Sequence, residues 1–163
     1  VEPQAAQILE TLRALGIAFE LTEHAPVFTI AELISEGLDR LGEVPKNLFL
    51  RDAGGKRHYL IVTQKDRLAD LCAIREAIGS SRLSFASEDR LKAHLNLTRG
   101  AVTPLAAIFD TKGTVCVYID TELMVFPRLG VHAGTNTQTV WLTPGDLIGY
   151  LRASGHDPSL LAL

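Results

Sequence analysis

Three short stretches of this sequence hold groups that could do chemistry: Pro45-Lys46-Asn47, Gly100-Ala101-Val102-Thr103-Pro104, and Gly130-Val131-His132-Ala133-Gly134-Thr135-Asn136-Thr137. Each sits at a bend beside an apolar run, where scaffolds commonly mount binding and catalytic groups. Lys46 offers an ammonium that, held over a pocket, binds phosphate or carboxylate, with Asn47 as a second polar contact. Taken alone it reads first as a solvated lysine at a strand start. Gly100 permits close backbone approach, and the N–H groups of residues 101–103, Ala101 and Thr103 among them, can face an oxygen that gains negative charge. Taken alone, the same segment is a plain connection. His132 lies between two glycines in a segment rich in small and hydroxyl residues; a lone histidine is more often structural, but flanking glycines favour an accessible, backbone-lined recess. Thr135, Asn136 and Thr137 extend that segment and can either line the recess or hydrogen-bond the turn.

The remaining candidates are weaker. His24, His58, His94 and His156 have no ligand spacing, and no paired Cys/His pattern supports a metal site. Lys56, Arg57, Lys65 and Arg67 form a modest basic group that reads first as a solvated face. There is no glycine-rich dinucleotide fingerprint, no phosphate-loop lysine motif and no Gly-x-Ser-x-Gly elbow. No cofactor is expected.

The elements that must position these groups follow from periodicity. Residues 3–15 predict an amphipathic helix with Ala5, Ile8, Leu12 and Leu15 on its inner face, closed by Gly16. Alternation over 17–22 predicts a half-buried strand. Thr29-Ile30-Ala31-Glu32 is a capping-box pattern opening a helix with Ile30, Leu33 and Ile34 inward. Strands over 47–51 and 58–63 form a hairpin around Asp52-Ala53-Gly54-Gly55. A helix over 68–78 ends at Gly79, and Ser87 caps another short one. A second hairpin is expected from 105–110 and 115–120 around Thr111-Lys112-Gly113. Short strands follow near 124–126 and 139–142, and Thr143-Pro144-Gly145-Asp146 opens a last helix carrying Leu147, Ile148 and Leu151. The expected class is α+β, one domain over 1–163, with a mixed, mostly antiparallel sheet and surrounding helices.

Bulk properties narrow the partners. At 163 residues the chain can bury a sizeable core, and its formal net charge of -3 argues against coating nucleic acid through a broad basic face. It leaves open a grip on one nucleic-acid end through a few phosphates. No apolar run reaches the roughly 18 residues of a membrane span, and no signal peptide is visible from Val1 onward. Cys72 and Cys116 lie in apolar patterns and read as buried free thiols of a reducing compartment, with the cytoplasm as the expected location.

Taken in this order and at these separations, the three stretches resemble the YbaK/prolyl-tRNA synthetase-associated editing-domain family. The resemblance runs from about Phe19 to Leu151. It includes the Thr29 helix start, and the closing Val140-Trp141-Leu142 strand with the capped helix after it looks most like the free-standing ProX branch of Ala-tRNA(Pro) deacylases. One departure is Ala133, where relatives often carry proline, a change expected to affect loop rigidity and recess width. The resemblance implies hydrolysis of the ester that joins a wrong amino acid to the terminal adenosine of tRNA. It makes Lys46 the anchor of the terminal phosphate, Gly100 and its neighbours the group that orients the ester, His132 a wall of the amino-acid recess and Thr29 another. It also implies that the adenosine 2′-hydroxyl assists the attacking water; no protein general base can be named from the sequence. The implied partners are the acceptor end of mischarged tRNA(Pro) and prolyl-tRNA synthetase, with no DNA, membrane or metal. A Cys-tRNA(Pro) deacylase and a non-catalytic acceptor-end binding module are the competing readings.

Overall fold

A computed structural model describes residues 3–163. Two sheets organise the chain. The larger has five strands in the order β4-β2-β3-β5-β8, built from β2 (Lys46–Arg51), β3 (His58–Thr63), β4 (Ser84–Phe85), β5 (Val115–Asp120) and β8 (Ser159–Leu161). The smaller has three, in the order β1-β7-β6, from β1 (Glu20–Glu23), β6 (Leu129–His132) and β7 (Gln138–Leu142). The small sheet is antiparallel throughout, whereas β5 runs parallel to both β3 and β8. The fold is therefore α+β with mixed pairing, divided between two sheets rather than gathered in one.

The hairpin of β2 and β3 forms as its turn residues demand, with Lys46 opposite Thr63 and Arg51 opposite His58. All six residues of β3 are buried, since it is the central strand with layers on both faces. Helix α1 (Pro3–Ala14) buries Ala5, Ile8, Leu9 and Leu12. Helix α4 (Glu88–Leu95) starts at Ser87 and α5 (Pro144–Ala153) at Thr143, each through a side-chain hydroxyl accepting from the third residue on. Together with the apolar faces of both sheets these helices enclose the main core, from Ile8 and Leu60 through Val131 to Tyr150. A second, smaller cluster of Leu48, Leu50, Tyr59, Ile61, Ile74 and Leu83 packs between the other face of the large sheet and α3 (Leu71–Ile78).

Several expectations need correction. Residues 105–110 are not a strand: Pro104–Phe109 is a 3-10 helix, capped by Thr103 Oγ1 accepting from Leu105 N–H at 3.3 Å. The segment is buried almost all round, so it carries no periodicity that separates strand from helix. With no strand there, β5 has no hairpin partner and pairs parallel to β3, across the long crossover that parallel pairing requires. Residues 124–126 likewise fall at the end of a 3-10 helix, Thr121–Val125, or just past it. Helix α3 begins at Leu71 because Asp70 caps it, which leaves Leu68 outside and 87% exposed. Leu15 and Ile34, expected inward, are exposed where their short helices end.

Both cysteines are exposed rather than buried. Cys116 alternates outward between buried Val115 and Val117, and Cys72 lies on the solvent side of α3. The basic group is not one solvated face either. Lys65 pairs with buried Glu43 at 2.8 Å, and Arg67 pairs with buried Asp120 at 3.0 Å.

Candidate active site

The start of β2, the end of β6, the loop over 100–102 and the start of α2 (Ile30–Ser35) meet around one recess of about 310 Å³. Thr29, Lys46, Asn47, Gly100 and His132 line it together. Val27, Ile30, Leu33, Val44, Val102 and Val131 supply its aliphatic walls. Residues from four separate parts of the chain thus converge on one hollow, as a binding site requires.

The joints that hold the hollow open are legible atom by atom. Thr29 Oγ1 accepts from Glu32 N–H at 3.1 Å, and the Glu32 carboxylate accepts from Phe28 N–H at 3.3 Å. This is a capping box displaced by one residue, and it fixes the entry of α2 over the recess. Buried Glu43 ties the two sheets: its carbonyl accepts from Gly130 N–H at 2.8 Å and its carboxylate receives Lys65 at 2.8 Å. The bond to Glu43 raises the Lys65 ammonium above its ordinary range despite partial burial.

Lys46 lines the recess, and its ammonium donates to the carbonyl of Arg67. Arg67 is itself clamped: its guanidinium lies 3.0 Å from Asp120, 2.5 Å from Glu122 and 2.7 Å from the Leu163 carbonyl. Thr63 Oγ1 donates to the same Asp120 at 2.7 Å. Arg67 lines the neighbouring hollow with Leu48 and Thr63, so this bond of the ammonium is made outside the recess lining, and donor positions remain unspent, since an ammonium carries three.

Among the described residues, two polar atoms of the lining are buried without a hydrogen-bond partner, Asn47 Oδ1 and His132 Nδ1. A buried polar atom left unpaired costs about 1–3 kcal/mol, which a ligand hydroxyl or amine recovers when it supplies the missing bond. Burial pushes the His132 imidazole down to about 4, helped by the neighbouring His24 ring at 6.3 Å between centroids. His132 is therefore neutral near pH 7, a hydrogen-bonding wall rather than a cation.

Gly100 has φ +86°, in the left-handed region, and a Cβ there would stand 2.6 Å from the Phe28 ring. Glycine at this position satisfies both the bend and the approach of Phe28, which is itself 64% exposed. The Ala101 N–H donates to the Thr98 carbonyl at 3.2 Å, so it is not free for an oxyanion. Val102 lines the recess, and its N–H has no acceptor among the described residues.

Four sequence-predicted residues do not line the recess. Ala101 and Thr103 are buried beneath it, the latter as the 3-10 helix cap. Thr135 Oγ1 lies 3.2 Å from Thr137 Oγ1, and the Asn136 carbonyl accepts from Val27 N–H at 3.3 Å. The turn over 135–137 thus supports the loop that walls the recess. The flanking glycines also serve packing: a Cβ on Gly130 would lie 2.6 Å from Trp141, and one on Gly134 3.1 Å from Ile8. Ala133 is buried in the core, and its N–H donates to the Gln138 carbonyl at 3.1 Å, a bond proline could not make. Sequence reasoning missed Phe28 as a wall and read Arg67 only as part of a solvated basic group. Phe28 alone left a signal, as an apolar residue just before a capping box, where it reads as a helix staple.

A profile of the aminoacyl-tRNA editing domain matches residues 24–150, which include every residue of the recess. The chain belongs to the aminoacyl-tRNA editing domain family. Editing in this family is hydrolysis of an aminoacyl ester, and the chain is accordingly an aminoacyl-tRNA deacylase. It is 42% identical over 149 residues to the prolyl-tRNA editing protein ProX of Acetoanaerobium sticklandii, covering 91% of each chain. It is 33% identical over 160 residues to the prolyl-tRNA synthetase associated domain-containing protein 1 of Mus musculus, covering 96% of this chain and 94% of that one. Among solved structures, one described as a candidate trans-editing enzyme for prolyl-tRNA synthetase superposes with a TM-score of 0.75 at 19% identity. That match covers 100% of this chain and 99% of the other and establishes the shared fold. No helix among the described residues is long and apolar enough to cross a membrane.

Proposed function

We propose that this editing domain acts in trans on tRNA(Pro) mischarged with alanine, releasing alanine and free tRNA(Pro). The observation that carries this reading is the common hollow of Lys46, Asn47, Gly100 and His132, walled by aliphatic side chains. The names of the relatives point to tRNA(Pro) as the nucleic acid and to prolyl-tRNA synthetase as the source of the mischarged substrate.

An aminoacyl ester is already activated, so positioning and charge stabilisation can supply most of the acceleration. In this reading Lys46 holds the terminal phosphate at the edge of the recess. The Val102 N–H beside Gly100 faces the ester carbonyl and stabilises the tetrahedral oxyanion. Neutral His132 and Asn47 complete their unmet hydrogen bonds on the substrate's amine and ribose hydroxyls. Thr29 fixes the α2 wall. Val27, Ile30, Leu33 and Val131 bound the side-chain space, so a ring larger than a methyl is refused by clash.

The test is a deacylation panel with tRNA(Pro) carrying alanine, cysteine or proline. Alanine should be lost fastest and proline spared. Faster loss of cysteine would replace the alanine assignment by its cysteine counterpart. Acceptor-end binding with no acceleration of any ester would make the chain a binding module.

A further inference from the structure

A second recess, about 460 Å³, adjoins the first, and Asn47, Gly100 and Val102 form the wall they share. Its far side is made by Phe49, Phe85 and Arg99. Phe85 sits on the two-residue edge strand β4 and is 58% exposed, with buried Phe49 on the neighbouring strand. An aromatic face turned to solvent beside a polar site is a stacking platform for a flat, partly polar ring. Arg99 forms no ion pair among the described residues, and Glu88 stands on the same lining. With one cation and one anion the lining is close to neutral in sum, which suits an uncharged base better than a phosphate.

The covalent structure of the substrate points the same way. If the aminoacyl group occupies the first recess, its ester oxygen belongs to a ribose at the Gly100 wall. The base on that ribose is one glycosidic bond away. The other neighbouring hollow shares only Leu48 with the first and has no aromatic ring in its lining.

We propose that the second recess seats the nucleobase of the esterified terminal nucleotide, stacked on Phe85, while the amino acid lies across the Asn47–Gly100–Val102 wall. This inference rests on the aminoacyl-ester reading of the first recess. It makes Phe85 a substrate-binding residue that positions the ester without touching the reacting atoms, and it makes the shared wall the place where the ribose crosses.

The experiment compares alanyl-tRNA(Pro) with the same tRNA whose terminal base has been removed, on wild type, Phe85→Ala and Phe85→Trp. For wild type, losing the base should raise KM about tenfold, the scale of one base–aromatic stack. In Phe85→Ala that penalty should shrink towards one, and in Phe85→Trp it should return. A penalty of the same size in Phe85→Ala as in wild type, or no penalty in wild type, overturns the proposal. Loss in Phe85→Ala that tryptophan does not restore also overturns it, since that would mark a merely structural side chain. A Lys46→Ala variant assayed alongside separates the two layers: wild-type rates there would defeat the reading of the first recess, whatever Phe85 does.

Discussion

His132 and His58 have their proton affinities lowered alike in contrasting surroundings. Both are pushed down to about 4, first by burial and then by a neighbouring imidazole, His24 for one and His94 for the other. In both, Nδ1 is buried without a hydrogen-bond partner among the described residues. The difference lies in what surrounds them. His58 is 1% exposed, lies 3.9 Å from His94 between ring centroids with the planes tilted by 35°, and meets Arg90 Nη1 at 3.1 Å. From His94 a hydrogen-bonded chain continues to Thr114 at 2.9 Å, Asp110 at 2.7 Å and His156 at 2.8 Å. His132 instead faces a hollow it shares with Lys46 and Gly100. A depressed imidazole reports burial in either place; the open volume and the unspent bonds around it distinguish a site from a strut.

The comparison breaks most visibly at Asp110. Its carboxylate is buried and accepts from Thr114, Val115 N–H and His156. Burial alone would raise its proton affinity, but these bonds together hold it below the usual carboxylate range. Asp110→Ala should cost about 3 kcal/mol of stability in urea unfolding, because it strips the partners from a buried network. Single-turnover deacylation by the folded fraction should stay within a factor of two or so of wild type. A large loss of rate at full folding would mean the network reaches the chemistry.

Lys46→Ala is the mirror image. The rate should fall roughly 100-fold, about 2.7 kcal/mol of transition-state stabilisation, with little change in unfolding. Near-normal single-turnover rates would remove the ammonium from the mechanism. Gly100→Ala comes next, at about tenfold in rate. It places a side chain at φ +86° and pushes Phe28, whose ring a Cβ would meet at 2.6 Å. Unchanged kinetics in a well-folded Gly100→Ala protein would detach the bend from the ester.

Where local chemistry decides an element, the sequence was readable. The Asp52–Gly55 turn, the Thr29, Ser87 and Thr143 caps and the β2–β3 hairpin depend on residues within a few positions of one another. Where tertiary packing decides, it was not. Residues 105–109 are as apolar as a core strand, and only their enclosure between α1, α4 and α5 makes them helical. Strand β6 was hidden by Gly130, which reads as a bend, yet the missing side chain is what allows Trp141 to lie against the strand. The same division runs through the site. Lys46, Gly100 and His132 stand out by type and setting. Phe28, Phe85 and Arg67 matter only through what the fold brings beside them, and the hydroxyl residues Thr103 and Thr135 turned inward to hold the loops.

The smallest expected effect is the most direct test of the two histidines. Because His132 stays neutral down to about 4, the deacylation rate should show no inflection near 6.5, the ordinary imidazole range. A bend there that disappears in His132→Gln would mean this ring titrates in the working enzyme and would make it a candidate acid or base. Stability should behave differently. Between pH 6.5 and about 4 the unfolded chain binds protons that folded His58 and His132 do not, so stability is complete above 6.5 and declines as pH falls through that window. His58→Phe, which keeps a ring beside Phe49 and His94, should remove part of that decline while leaving the pH–rate profile in place. If the substitution flattens the rate profile instead, the buried stack is coupled to the recess and the contrast between strut and site no longer holds.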